Sequence, residues 1–507
     1  MEVITITSKD QDPARFVSNF TNSIHLTEDY EVGLLKIALP PVENVTQANN
    51  RLHITAKGSP SQLVLEIPTG FYATGHDLAQ AMYQVLSKHY KEHGQVETIE
   101  THVIEVYPQT SIDYSDTVTF LIKACPKLMI ENIEIISEIR VLTATDGNPD
   151  ANTNVSVVSN LANALWRSVD VVIGGQNILQ SFDNSYNIGS WFDIVLNTPS
   201  YRSPYLLDKE VFLMDEATSK ANSEDATIYP EEEAGARPPP ANKSALSRGK
   251  LIEGGKSVTL ISDLNCSLFK TGKLLPSNLD VRLSLTKNYD GYVLLEEAAG
   301  THKVKFDKCF LRVTMQQPTD FCLNLMEQKL LKTPALYQSE EGKVSFHSIP
   351  AGNALVTINN LFPQGKLPVM FTFGVQDRAA FGNARNKNPF TFHKIKKVQV
   401  YVDGKPHFPS AIQGTTMQFD SFYQTIGYKT TGDCLINPTN YNIHPLFAVD
   451  LTADRTGNKH HLNLSRSGEV KLDIEFPAAA VEGLILLVYS YYDRIIEINS
   501  DRSLRVL

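Results

Sequence analysis

Few segments of this sequence carry the pattern of a catalytic or ligand-binding motif. Gly255-Lys256-Ser257 has the ending of a phosphate-binding loop, in which backbone N–H groups and a lysine hold nucleotide phosphates. Lys250 stands where that motif needs its first glycine, and no buried strand leads into the segment. The sequence patterns of zincins (His-Glu-x-x-His), zinc ribbons (Cys-x-x-Cys) and serine hydrolases (Gly-x-Ser-x-Gly) do not occur in the sequence. We therefore reject nucleotide binding and find no signature of hydrolysis.

Isolated histidines and cysteines are explained better by structure than by catalysis. His460 and His461 are adjacent, and neighbours on a strand point to opposite faces, so they are poorly placed to share one metal ion. Cys309 lies in the apolar run 306–313, whereas a catalytic cysteine needs a positioned base and an electropositive setting. We predict no catalytic, cofactor-binding or metal-binding residue, no cofactor, and no enzyme activity.

Two surface features remain. Lys394, Lys396 and Lys397 form the nearest approach to a basic patch, which we interpret as a solvated strand edge, with contact to DNA or an anionic neighbour as the alternative. The segment 252–255, Ile-Glu-Gly-Gly, loosely resembles sites cut by adenoviral-type maturation proteases, but a glycine-rich turn before a strand explains it equally well.

Composition limits the class of protein. The chain has 507 residues, which favours two or three domains, and 42% hydrophobic with 20% charged residues excludes a disordered protein. A net charge of -10 argues against a surface built to neutralise phosphates. The five cysteines are odd in number and far apart, so we expect buried free thiols. Because we see neither a signal peptide pattern nor a run of ~20 apolar residues, we expect synthesis in the cytosol and no membrane span.

The first 97 residues form a small α+β domain in this interpretation. Strand-like runs occur at Val3–Thr7, Val32–Leu39 and Leu63–Ile67. They are followed by a helix that Thr74 can cap and that ends at Gly94, because apolar residues recur along one of its faces.

The rest of the chain is typical of β-sandwiches. Apolar and polar residues alternate in short runs such as Val281–Thr286 and Leu472–Phe476, so each strand covers half of a core. Helical periodicity is confined to short pieces near 159–165 and 321–331. Residues 203–250 are polar, with an acidic run and three consecutive prolines, and we predict a long exposed loop there.

A weak internal duplication indicates two sandwiches in tandem. Residues 169–176 resemble 398–405, since alternating β-branched residues precede a glycine turn in both. Phe182-Asp183 and Ile188-Gly189 match Phe419-Asp420 and Ile426-Gly427, and 261–285 matches 448–476 at a smaller offset. We predict a mainly β fold of two tandem jelly rolls, residues 98–298 and 299–507, after the small N-terminal domain. Three copies of such a chain present six similar lobes.

Several segments of the sequence resemble those of a known protein family. The C-terminal half is similar to the double jelly-roll major capsid proteins of Polinton (Maverick) elements and adintovirus-like viruses. The resemblance extends back through 166–179 and covers roughly residues 100–507, and 30–34 with 70–72 are similar to a domain found with related elements. The segments that carry it in the C-terminal half are 360–362 (NLF), 367–368 (LP), 386–390 (NKNPF), 400–404 (VYVDG), 447–452 (FAVDLT) and 468–474 (GEVKLDI).

The resemblance implies a structural role in a virion. Members build homotrimeric, pseudo-hexagonal capsomers in an icosahedral shell around double-stranded DNA, with neighbouring capsomers and penton or minor capsid proteins as partners and DNA contacted only indirectly. Two alternatives remain open from the sequence. One is a minor or penton capsid component, suggested by the extra N-terminal domain, and the other is a carbohydrate-binding β-sandwich protein.

Overall fold

The computed structural model describes four short strands before residue 67 and then residues 98–507, except 151–154, 216–242, 297–299, 364, 382–387, 427–433, 439, 456, 458–462 and 464. Two compact units are present: Met1–Ile99 with Pro318–Cys322, and Glu100–Gln317 with Leu323–Leu507. Among the described residues, no helix is long and apolar enough to cross a membrane.

The first unit contains two antiparallel strand pairs. Two of these strands overlap the predicted runs at Val3 and Leu63, whereas the run Val32–Leu39 and the helix Thr74–Gly94 lie outside the described residues. The strands are Glu2–Ile4 (β1) with Ile24–Leu26 (β2), and Arg51–Thr55 (β3) with Gln62–Glu66 (β4).

The remaining strands build two sandwiches. Those of the first are Thr98–Val106 (β5), Thr117–Ile122 (β6), Met129–Thr143 (β7), Val155–Val157 (β8), Trp166–Ile173 (β9), Gln176–Gln180 (β10), Val258–Asp263 (β11), Val281–Lys287 (β12), Leu294–Glu296 (β13) and His302–Pro318 (β14). Those of the second are Ala335–Ile349 (β15), Leu355–Ile358 (β16), Lys366–Leu367 (β17), Met370–Asp377 (β18), Lys397–Val402 (β19), Lys405–Pro406 (β20), Ile412–Gln413 (β21), Phe447–Asp450 (β22), Arg466–Ser467 (β23), Val470–Glu475 (β24), Leu484–Ile498 (β25) and Leu504–Val506 (β26).

Helices occupy the connections between strands. Short 3-10 turns add to them at Ser200–Arg202, Glu253–Gly255, Ser267–Thr271 and Arg378–Phe381. The described helices are Leu161–Ala164 (α1), Ser185–Asn197 (α2), Ser203–Glu210 (α3), Lys243–Ile252 (α4), Asp290–Val293 (α5), Asp320–Leu330 (α6) and Thr415–Ile426 (α7).

Both sandwiches have the same strand order, which confirms the internal duplication. The first contains sheets β10-β9-β12-β6 and β11-β7-β14-β5, and the second contains β20-β19-β24-β16 and β22-β18-β25-β15. Strands in the same position follow one another along the chain in the same sequence. In both, alternate residues of the facing sheets fill the core, as in β12 and β24, where every second residue is buried.

The structure places the end of the first sandwich later than the sequence analysis did. Strand β14 pairs with β7 along most of its length, so residues 302–318 complete a sheet of the first sandwich. The predicted division at residues 298 and 299 assigned this strand to the second sandwich. The alternation of apolar and polar residues within one strand does not reveal to which sheet the strand belongs, because every half-buried strand shows the same alternation.

The prediction of a long exposed loop at 203–250 was wrong at both ends of the segment. Residues 203–210 and 243–252 are helical, while the acidic run and the three prolines lie outside the described residues. Helix α4 is polar in composition but buries Ser244, Ala245 and Arg248. Hydrogen bonds satisfy the Arg248 side chain, whose Nε donates to the Val157 carbonyl oxygen at 2.8 Å, and Ser156 Oγ donates to the Ala245 carbonyl oxygen at 2.6 Å. A buried, fully bonded polar residue looks the same in a sequence as a solvated one.

Candidate functional site

Helix α2 joins the two sandwiches. Nine of its thirteen residues are buried, because one side packs on β9 of the first sandwich and another on β15 of the second. At Gly189 the approach is so close that an added Cβ would lie 3.4 Å from Val344 Cγ2. The Phe192 ring stacks on Tyr489 of β25 with centroids 5.4 Å apart. The outer face of a sheet in the second sandwich is therefore covered by the first.

An aromatic cluster fills this junction. Trp191 is fully buried and stacks on Phe390, with centroids 5.4 Å apart and planes 12° from parallel. Phe392 lies at 5.4 Å and Phe192 packs edge-on at 5.3 Å. Such pairs add about 0.5–1.5 kcal/mol each beyond the area they bury. The junction therefore resembles the interior of a domain.

A buried arginine lies beside the aromatic cluster. Arg248 is completely inaccessible, and its guanidinium donates to the Val157 carbonyl at 2.8 Å, to the Leu213 carbonyl, and to Asp215 Oδ1 at 2.8 Å. Asn388 of the second sandwich donates to the other oxygen of Asp215. A charge removed from water must be paired and fully bonded to be tolerated, and Arg248 meets that condition.

His444 connects the same network to the second sandwich. Its Nδ1 lies 3.1 Å from the Phe390 carbonyl oxygen and its Nε2 lies 3.2 Å from the Asp215 carbonyl oxygen. Burial lowers the pKa of this imidazole, and the charge of Arg248 lowers it further, against the opposing effect of Asp215. The pKa shift favours the neutral imidazole, which can donate to only one of the two carbonyls.

A further hydrogen bond crosses the junction and is made by an arginine that is ion-paired within the second sandwich. Arg494 of β25 donates through Nη1 to the Ile178 carbonyl in the first sandwich at 2.8 Å and to Glu341 Oε1 at 2.9 Å. A cavity of about 1130 Å³ lies next to this pair, lined by residues of both sandwiches. Polar contacts thus cross the junction at two separate points, Asn388 to Asp215 and Arg494 to Ile178.

The residues singled out in the sequence do not come together. Cys309 lies in β14 and is 4% exposed, and burial raises the pKa of its thiol to about 12, so it is a core thiol. Lys256 follows a helical turn and precedes β11, the reverse of the strand–loop–helix order of a phosphate-binding loop. His460 and His461 lie outside the described residues. Within the described part of the chain, no three His, Cys, Asp or Glu side chains are grouped as a metal site requires.

The structure also shows the surroundings of the lysine cluster and of the segment 252–255. Lys394, Lys396 and Lys397 are exposed at the start of β19, and Lys396 Nζ lies 2.6 Å from Glu475 Oε1. Ile252, in the segment that resembles a protease site, is 1% exposed and belongs to the hydrophobic core. Protease access to Ile252 would therefore require local unfolding, whereas Gly254 of the same segment is exposed.

Glu210 makes stability depend on pH. This carboxyl ends α3, is 6% exposed, and accepts one long hydrogen bond from Asn163 Nδ2 at 3.4 Å. Burial raises its pKa to about 7 from 4.5. Between pH 4.5 and 7 the Glu210 carboxyl therefore keeps its proton in the folded state but loses it in the unfolded state. The free energy of unfolding falls as the pH rises through this range and does not change further above pH 7. The full effect is about 3 kcal/mol.

We expect Glu210→Gln to remove this dependence and to stabilise the protein at pH 8. The measurement is the denaturation midpoint in urea at several pH values between 5 and 8. Asp208→Asn removes a charge from the exposed side of the same helix and serves as the matched control, with a profile like that of the wild type. Equal slopes for Glu210→Gln and the wild type would contradict the interpretation.

Solved structures share this architecture. A chain of the PBCV-1 virus capsid aligns with a TM-score of 0.50 and 13% identity, covering 81% of this chain and 97% of that one. A chain of the Sputnik virophage aligns with a TM-score of 0.53 and 12% identity, covering 81% and 89%. The mavirus major capsid protein aligns with a TM-score of 0.50 and 12% identity, covering 80% and 90%. No protein-family model and no curated protein sequence matches the chain.

These likenesses establish the fold. The chain is a double jelly roll, mainly β, with the multiple sheets that the sequence analysis predicted. Identities of 12–13% are too low to carry more than that.

Proposed function

We propose that this chain is the major capsid protein of an icosahedral double-stranded DNA virus or of a related Polinton (Maverick) element. The observation that supports it most is the duplicated jelly roll with a packed internal junction, aligned over 97% and 90% of the length of two capsid chains. The proposed location is the virion, after synthesis in the host cytoplasm. The work is done by interfaces, without an enzymatic step or a cofactor.

The proposed mechanism is geometric. Each chain supplies two lobes of the same topology, so a ring of three chains has six lobes and fits a hexagonal lattice. Lateral contacts repeated by symmetry stabilise the shell, although each contact is modest. The partners are other copies of the chain, neighbouring capsomers, and penton or minor capsid proteins, with DNA contacted only indirectly. Residues 1–97 are assigned to a separate N-terminal domain.

Electron microscopy of the purified protein in negative stain tests this proposal. We expect particles with three-fold symmetry and six lobes in top view. Five-fold particles would favour a penton component instead. Single two-lobed particles at every concentration, together with selective binding on a glycan array, would favour a carbohydrate-binding protein.

A further inference from the structure

One face of the second sandwich is covered within the chain. The side chains Val344, Tyr489, Thr372 and Ala448 form a row across strands β15, β25, β18 and β22, in the register of the sheet. Helix α2 of the first sandwich lies against this covered row, through the close contacts of Gly189 and Phe192.

The corresponding face of the first sandwich has a different environment. Ile261, Ile136 and Phe310 lie side by side on β11, β7 and β14, and the Tyr107 ring extends the row at 5.7 Å from Phe310. We call these four residues the open row. They point away from the core, since their strand neighbours Leu260, Ile135 and Leu311 point into it. Tyr107 is 61% exposed, Ile261 and Phe310 are half-buried, and Ile136 is buried at 5% exposure, so the accessible part of the row is its Phe310–Tyr107 end.

Ion pairs form the rim of the open row. Arg312 Nε lies 2.6 Å from Glu134 on one side of it, and Lys308 Nζ lies 3.2 Å from Glu138 on the other. An apolar centre with a charged rim is the pattern of a protein interface.

The two helices that occupy the same place in the fold differ in burial. Helix α2 follows β10, and α7 follows β20 and the short β21 in the second sandwich. Whereas α2 buries nine residues, α7 buries only Gln418, Phe422 and Ile426, which lie on one side of the helix. Its other side carries Met417, Asp420 and Tyr423, of which Met417 is 56% and Tyr423 37% exposed.

We propose that α7 of one copy packs on the open row of a second copy, as α2 packs on the covered row within one chain. This interface rests on the proposed function and deepens it by identifying the surfaces that join capsomer subunits. The contact is head-to-tail, because it joins two different surfaces of the chain. Repeating it produces a closed ring when the rotation between neighbouring copies brings the last copy onto the first. Asp420, the single charged residue of α7, approaches a rim in which Lys308 and Arg312 are paired with Glu138 and Glu134, so the apolar residues rather than a net charge carry the contact.

The test uses paired lysine substitutions in the full chain. The helix variant is Met417→Lys with Tyr423→Lys, and the sheet variant is Val103→Lys with Tyr107→Lys; Val103 and Tyr107 are 59% and 61% exposed on the same face of the sheet. The control, Leu355→Lys with Val481→Lys, adds the same charge at residues that are 66% and 87% exposed and belong to neither surface. Circular dichroism and the melting midpoint verify that each variant folds.

Mass by light scattering after size exclusion is the measurement. We expect the wild type and the control to be trimeric, and each interface variant to lose at least ten-fold in trimer at equal concentration. An equal mixture of the two variants retains one intact pair of surfaces per ring, so it is expected to give dimers without trimers. If a variant fails to fold, the other decides the question, because the contact needs both surfaces.

Two negative results can be distinguished. If the wild type is trimeric and a folded helix or sheet variant is equally trimeric, the interface is overturned and the capsid function stands. If the wild type is a monomer at every concentration, the proposed function is overturned together with the interface.

Discussion

Replacing Arg248 by alanine is expected to lower the free energy of unfolding by about 3–5 kcal/mol, the range for breaking a buried ion pair by removing one partner. The guanidinium is fully buried and bonds to two carbonyls and to Asp215. Its loss leaves Asp215, which is 6% exposed, without its arginine partner inside the junction. The carbonyls of Val157 and Leu213 lose the same donor.

Urea denaturation of the wild type and the variant provides this measurement. Lys396→Ala is the matched control, because it removes a cation from an ion pair of 2.6 Å whose lysine side chain is 58% exposed. Exposed pairs contribute only about 0–1 kcal/mol, so the control should differ little from the wild type. An Arg248→Ala effect as small as that of the control would mean that the network does not hold the junction.

Trp191→Ala is expected to cost about 3–5 kcal/mol, as large-to-small substitutions of buried aromatic residues do. The side chain is fully buried among Phe192, Phe390 and Phe392, so its removal leaves a cavity between the two sandwiches. Its indole N–H has no hydrogen-bond partner among the described residues, so the loss is one of packing.

Thermal unfolding followed by circular dichroism measures the effect of Trp191→Ala. Tyr201→Ala removes an aromatic ring that is 73% exposed and is the control, with an expected change below about 0.5 kcal/mol. Because both sandwiches share the junction, we expect the variant to lower the stability of both. A second sandwich that melts at the wild-type temperature would show that the sandwiches fold independently of this contact.

The strands were predictable from the sequence because alternation is a local property. Val281–Thr286 and Leu472–Phe476 alternate between core and surface in the structure. The first run lies in β12 and the second covers the end of β24 and the residue after it, and these two strands occupy equivalent positions. The likeness of 169–176 to 398–405 also corresponds to an equivalent pair, β9 and β19 with their following turns. Period-two patterns and glycine turns were sufficient for this part of the fold.

One step of the sequence alignment was wrong. Phe182 precedes α2, whereas Phe419 lies inside α7, so the two residues are not equivalent. Helix α2 was not predicted, although Ile188, Trp191, Phe192, Val195 and Leu196 recur at the spacing of an apolar helical face, a signal that the sequence analysis missed. The junction could not be predicted either, since the bonding of Arg248 depends on residues up to 91 positions away.

The mass of the wild-type protein in solution decides whether three chains assemble into one capsomer. Size exclusion with light scattering is expected to give three times the chain mass of 56.4 kDa. We expect no monomer peak to emerge on dilution to micromolar protein concentrations. A single species at the mass of one chain, at every concentration, would contradict the proposal that this double jelly roll is a capsomer subunit.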